Sequence, residues 1–133
     1  MMHLDSRLES TSVFVVDLEL CHARLSHNAA FPWLLLIPRH VGLCELIDLS
    51  VSDQHLLMAE IALASHVMRD LFAPTKINVA SLGNVVPQLH IHVIARYDHD
   101  SAWPGPVWNS GIETIYTVQD QTTRIQQLQH MFG

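Results

Sequence analysis

Gln88-Leu89-His90-Ile91-His92-Val93-Ile94 alternates polar and apolar residues up to its last two positions. A period of two marks a half-buried strand, because successive side chains point to opposite faces. Leu89, Ile91 and Val93 share one face, which packs into a core. Gln88, His90 and His92 share the other, spaced about 7 Å apart by the rise of the strand. Imidazole is the one side chain that is substantially neutral near physiological pH and also a good nucleophile. A neutral ring nitrogen attacks phosphorus without the general base that serine needs. A second, protonated histidine holds the phosphate oxygens and stabilises charge in the transition state. Two other readings share the pattern. In a chain with ten histidines, two at spacing two also arise by chance. Alternate histidines on a strand can also both ligate zinc, with His99 or His40 as a third ligand if the fold brings either close.

The segments around this strand set the fold class. Leu4 and Leu8 lie four apart in a polar stretch, which predicts a short amphipathic N-terminal helix. Residues 13–16 are β-branched and aromatic, and 18–25 alternate with a phase slip, so both read as strands. Ser26-His27-Asn28 is turn-like. Residues 33–37 form an apolar strand closed by Pro38, and 43–49 a weaker strand or turn. Ser50 or Ser52 caps a helix with Asp53 in its first turn. Leu57, Ile61, Ala64, Met68 and Leu71 recur at helical steps along it, and Pro74 ends it. Strands at 76–80 and 89–95 follow, linked through Leu82-Gly83-Asn84. Ile125, Leu128 and Phe132 predict a short C-terminal helix. About five strands with one long helix and short terminal helices imply a single α+β domain over 1–133 with a largely antiparallel sheet.

Composition narrows the function classes. Of 133 residues, 49% are hydrophobic and 15% charged, which excludes a disordered or low-complexity protein. Net charge is −6 and Lys plus Arg number only seven, too few cations for a nucleic-acid polymer as partner. A few local donors still suffice for one small phosphorylated ligand. The longest apolar run, 31–38, contains Pro32 and falls short of the roughly 20 residues of a spanning helix, so no membrane partner is expected. The N-terminus has no basic region followed by an apolar core, and Cys21 and Cys44 make no disulfide framework, so the expected location is the cytoplasm.

Residues 83–94, Gly83-Asn84-Val85-Val86-Pro87-Gln88-Leu89-His90-Ile91-His92-Val93-Ile94, resemble the signature strand of the histidine triad (HIT) family of nucleotide hydrolases and transferases. The glycine sets the register, with Gln88 at the first triad position, His90 at the second and His92 at the third. Asn28 followed by 31–40 resembles the family's nucleoside-binding strand, and Trp103-Pro104-Gly105-Pro106 its tryptophan-proline loop. The resemblance spans roughly 13–108 and is most like the diadenosine polyphosphate hydrolases. It implies a HIT-like fold, a homodimer, and cleavage at the α-phosphate of a small-molecule nucleotide with no cofactor or metal required. His90 matches the nucleophile, so a covalent nucleotidyl-histidine is implied, and His92 matches the histidine that contacts phosphate. Asn28 matches the residue that holds the ribose hydroxyls. Asn84 stands where a phosphate-contacting glutamine is common, and Asn78 and Trp103 are further nucleotide-binding candidates.

Two departures from the family pattern bear on activity. Glutamine at 88 keeps a hydrogen bond but cannot titrate near pH 7. Val85 stands where some branches place a serine that donates to the leaving group. The expected function is a hydrolase or nucleotidyl transferase acting on a dinucleoside polyphosphate or nucleoside phosphoramidate. The alternative is a catalytically weakened nucleotide-binding module of the same fold. Trp33 and Trp108 read as packing residues, Cys21 and Cys44 as buried small ones, and His22, His27, His55, His66 and His130 as surface or satisfied residues.

Overall fold

The computed structural model describes residues 2–133. Helix α1 (Ser6–Thr11) runs directly into β1 (Ser12–Asp17), followed by β2 (Cys21–Ser26) and β3 (Trp33–Pro38). A 3-10 turn at Leu46–Asp48 precedes the long helix α2 (Val51–Phe72). Strands β4 (Lys76–Ala80) and β5 (Ile91–Arg96) and helix α3 (Val118–Phe132) complete the chain. The five strands form one sheet in the order β1-β2-β3-β5-β4, with every pairing antiparallel.

Local chemistry explains the long helix. The Ser50 hydroxyl accepts the Asp53 N–H at 3.2 Å, and Asp53 adds negative charge where the helix dipole favours it. Leu57, Ala64, Val67 and Met68 are buried against the sheet, with Ile61 and Leu71 packed beside them. The helix stops at Ala73, which adopts a left-handed φ of 45°, and Pro74 follows. Glu60 is the unexpected buried residue. Its carboxylate accepts the N–H groups of Leu20 and Cys21, both at 2.8 Å, and so ties α2 to the start of β2.

Helix α2 carries the chain from β3 across to β4, so both flank β5 and β5 becomes an interior strand. Its alternation then has a buried destination on each face. Ile91, Val93 and Ala95 enter the core under α2 and α3. Ile94 enters a smaller cluster with Phe31 and Val107, and His92 lies on that same face.

Several local expectations shift. The alternation over 18–25 is interrupted by a turn, with the Leu18 N–H bonded to the Cys21 carbonyl at 2.7 Å, so the strand begins only at Cys21. The turn is the phase slip. The ladder of β5 begins at Ile91, two residues later than the apolar alternation, because the Leu89 N–H goes to the Leu43 carbonyl (2.9 Å) instead. Gln88 and His90 therefore lie just before the strand. Cys44 is exposed, whereas Cys21 is fully buried.

Candidate active site

His90 and His92 come together. Their rings are 4.9 Å apart, centroid to centroid, and both line a cavity of about 590 Å³ and an adjoining one of about 310 Å³. The two residues are only 6% and 7% exposed, so the histidines that line the cavity are otherwise in a dry setting.

Hydrogen bonding decides the proton positions. His90 Nδ1 lies 2.7 Å from the Gln88 carbonyl oxygen. A carbonyl only accepts, so Nδ1 carries a proton, and in the neutral ring the Nε2 lone pair is left free. Trp33 Nε1–H, which can only donate, lies 3.0 Å from His92 Nδ1. Nδ1 of His92 is therefore the acceptor, and the neutral ring carries its proton on Nε2. Burial, reinforced by neighbouring His90, pushes the His92 pKa down to about 3. His92 is thus a neutral donor near pH 7, whereas the sequence pattern had pointed to a protonated one. One ring offers a lone pair and the other an N–H, which is the pairing that attack on a phosphoryl centre uses.

Trp108 packs edge-on to His92 (5.0 Å) and to Trp33 (6.1 Å), closing the ring stack. The two tryptophans read as packing residues are in fact the supports of the second histidine. Each sits in an ordinary apolar context in sequence, so no local signal separates a supporting indole from a core one. His27, read as a surface residue, also lines the larger cavity.

The other candidates divide. Asn84 lines the smaller lobe beside both histidines, in a loop that Gly83 enters at a φ of 77°. Asn28 lines the larger lobe, but its side chain is engaged with backbone: Oδ1 accepts from Ala30 and Thr114, and Nδ2 donates to Ile112. One Nδ2 hydrogen is left for a ligand. Asn78 and Trp103 lie outside both lobes. Asn78 accepts from Arg96, and Trp103 lies against the same guanidinium at 5.9 Å. Arg96 is 1% exposed and is clamped by Asp100 at 2.8 and 3.0 Å and by the Gly105 carbonyl. That cluster ties down the loop leading to Trp108, and it places Asn78 and Trp103 on Arg96 and not on the cavity. Gln88 turns its amide away from the histidines, onto the backbone of His3 and Asp5. The three side chains therefore do not share one face, because the ladder that would align them starts only at Ile91.

Neither proposed third metal ligand reaches the pair. His40 Nε2 bonds Asp53 at 3.0 Å and His99 faces Asp98. Among the described residues there is no group of three or more His, Cys, Asp or Glu able to hold a metal, and no helix long and apolar enough to cross a membrane.

With this geometry in view, the sequence profile of the HIT domain matches residues 7–99. The chain belongs to the HIT domain family. This is a family of nucleotide-binding hydrolases and transferases, and its profile starts ahead of the 13–108 span of the resemblance and stops at His99. A histidine triad protein from Bradyrhizobium japonicum is 37% identical with a TM-score of 0.96, over 99% of this chain and 98% of that one. One from Marinobacter aquaeolei is 39% identical with a TM-score of 0.96, over 99% and 96%. A histidine triad (HIT) protein from Sinorhizobium meliloti is 36% identical with a TM-score of 0.94, over 97% and 96%. No curated protein matches the chain. The HIT fold thus accounts for the sheet, the long helix and the buried histidine pair together.

Proposed function

We propose that this HIT protein cleaves nucleotides at the α-phosphate through a covalent intermediate on His90. The observation that carries the reading is the Nδ1–H bond to the Gln88 carbonyl, which selects the neutral tautomer of His90 whose Nε2 keeps its lone pair, on a ring that lines the cavity. Nε2 attacks the α-phosphorus, the N–P bond forms, and the bond to the leaving group breaks with its electron pair going to that group. The Gln88 carbonyl meanwhile steadies the positive charge that develops on the ring. Water then attacks phosphorus, the N–P pair returns to Nε2, and a proton of the water passes to solvent. His92 Nε2–H donates to a phosphoryl oxygen, and its burial makes that bond stronger than it would be in water. Asn84 adds a donor at the same lobe, and Asn28 holds a sugar hydroxyl with its free Nδ2 hydrogen.

The substrates in this reading are dinucleoside polyphosphates and nucleoside phosphoramidates, and no cofactor is used. Gln88 stands at the first triad position as a backbone clip, so its inability to titrate leaves the chemistry of His90 in place. The reading includes a homodimer in the cytoplasm. In its support, β4 is an unpaired sheet edge with Val79 and Leu82 exposed beside it, and both cysteines are free thiols.

The test is incubation of pure protein with diadenosine tetraphosphate and with adenosine phosphoramidate, with and without a chelator. Turnover of at least one, an intact-mass increase of one AMP in the quenched protein, and loss of both in His90→Ala are expected. No turnover by the native protein, or equal turnover by His90→Ala, removes the claim. Binding of AMP without adduct would leave a nucleotide-binding module in its place.

A further inference from the structure

The departures at 85 and 88 meet at one point in the structure. Gln88 grips the N-terminal segment on both sides of its amide: Oε1 accepts the Asp5 N–H at 2.7 Å and Nε2 donates to the His3 carbonyl at 3.1 Å. That grip lays α1 along the larger cavity. At one end of the helix Arg7 Nη1 donates to the Val85 carbonyl at 2.9 Å, and at the other the His27 N–H donates to the Thr11 carbonyl. Val85 itself offers only an exposed apolar side chain there.

Arg7 brings a cation to that place. Its Nε and Nη2 bind the Asp5 carboxylate at 3.1 and 2.9 Å, which holds the guanidinium still. A guanidinium has five N–H donors; these three bonds use three and leave two. The side chain is about half exposed (53%) and lines the cavity that holds His90 and His92. Among the described residues it is the one lysine or arginine that lines either lobe. A helix cap alone would need Asp5 but would not need the guanidinium fastened to the loop that precedes His90.

We propose that Arg7 is the leaving-group receptor, binding the phosphate chain beyond the phosphorus that His90 attacks, and that Gln88 is the residue that positions it. This rests on the reading above. When the P–O bond breaks, its electron pair stays on the bridging oxygen, so the departing phosphate chain gains one negative charge. The two free N–H groups of Arg7 stabilise that charge. An amine leaving from a phosphoramidate departs by taking up a proton and presents no such anion. Arg7 therefore makes the site favour dinucleoside polyphosphates over phosphoramidates, in the place where Val85 lacks a hydroxyl.

The readout is the ratio of kcat/KM for diadenosine tetraphosphate to that for adenosine phosphoramidate, measured on the full chain. In Arg7→Gln the ratio is expected to fall about tenfold or more, the effect of one charge-assisted hydrogen bond. Arg7→Lys keeps the charge without the fork and should fall part of the way; it decides the matter alone if Arg7→Gln does not fold. Gln88→Ala should move the ratio in the same direction, because α1 is released. A ratio within about twofold of native in Arg7→Gln and Arg7→Lys, including an equal loss on both substrates, overturns the proposal and leaves α1 as a wall. No turnover of either substrate by the native protein would instead sink the preceding reading, so the two failures are distinguishable.

Discussion

Replacing Trp33 by Phe keeps an aromatic ring in place but removes the indole N–H. The indole N–H is the donor that holds His92 Nδ1 at 3.0 Å, and His92 is 7% exposed, so no water readily replaces it. A buried acceptor left without a partner costs about 1–3 kcal/mol. If that energy orients His92 for the transition state, kcat/KM falls about 5- to 150-fold, at about 1.4 kcal/mol per factor of ten. Two further consequences share one direction. The ring is free to take its other tautomer, and the neutral form loses the N–H bond that favoured it, so the depressed His92 pKa rises from about 3 toward the ordinary histidine value. The assay is steady-state kinetics on a cleaved nucleotide together with nitrogen-15 NMR of the histidine rings against pH. Native His92 should show its proton on Nε2 and stay neutral to well below pH 5. A native ring with its proton on Nδ1 would refute the reasoning outright. So would Trp33→Phe kinetics within twofold of native combined with an unmoved titration.

The same depressed pKa has a stability consequence. Between pH 6.5 and about 3 the unfolded chain protonates His92 and the folded one does not, so stability is full above 6.5 and declines as pH falls through that window. Denaturant melts from pH 7 to 4 should show a shallower decline in His92→Gln than in the native protein; parallel curves would contradict the assignment. Asp100→Ala leaves the Arg96 guanidinium buried without its carboxylate partner, which typically costs about 3–5 kcal/mol. The denaturant midpoint should drop accordingly, and Trp108 fluorescence should report a loosened loop; an unchanged midpoint would show the clamp to be dispensable. Glu60→Ala strands the Leu20 and Cys21 N–H groups and should cost about 2–6 kcal/mol, at 1–3 per orphaned donor. A change under 1 kcal/mol by the same melts would mean that water takes over both bonds.

The sequence by itself determined what is local. Alternation through Ile91-His92-Val93 marks a strand, and the recurrence of Leu57, Ala64 and Met68 behind a serine cap marks a helix. From these came the α+β class, the antiparallel sheet and the two histidines. Tertiary structure decided what each side chain touches across long separations. Gln88 meets Asp5 over 83 residues, Arg7 meets Val85 over 78 and Trp33 meets His92 over 59, and no periodicity encodes such a meeting. Asn78 and Trp103 lie against Arg96, where a buried guanidinium needs its N–H groups satisfied. An indole in an apolar run looks the same in sequence whether its N–H faces solvent or a buried histidine ring, and only packing reveals which.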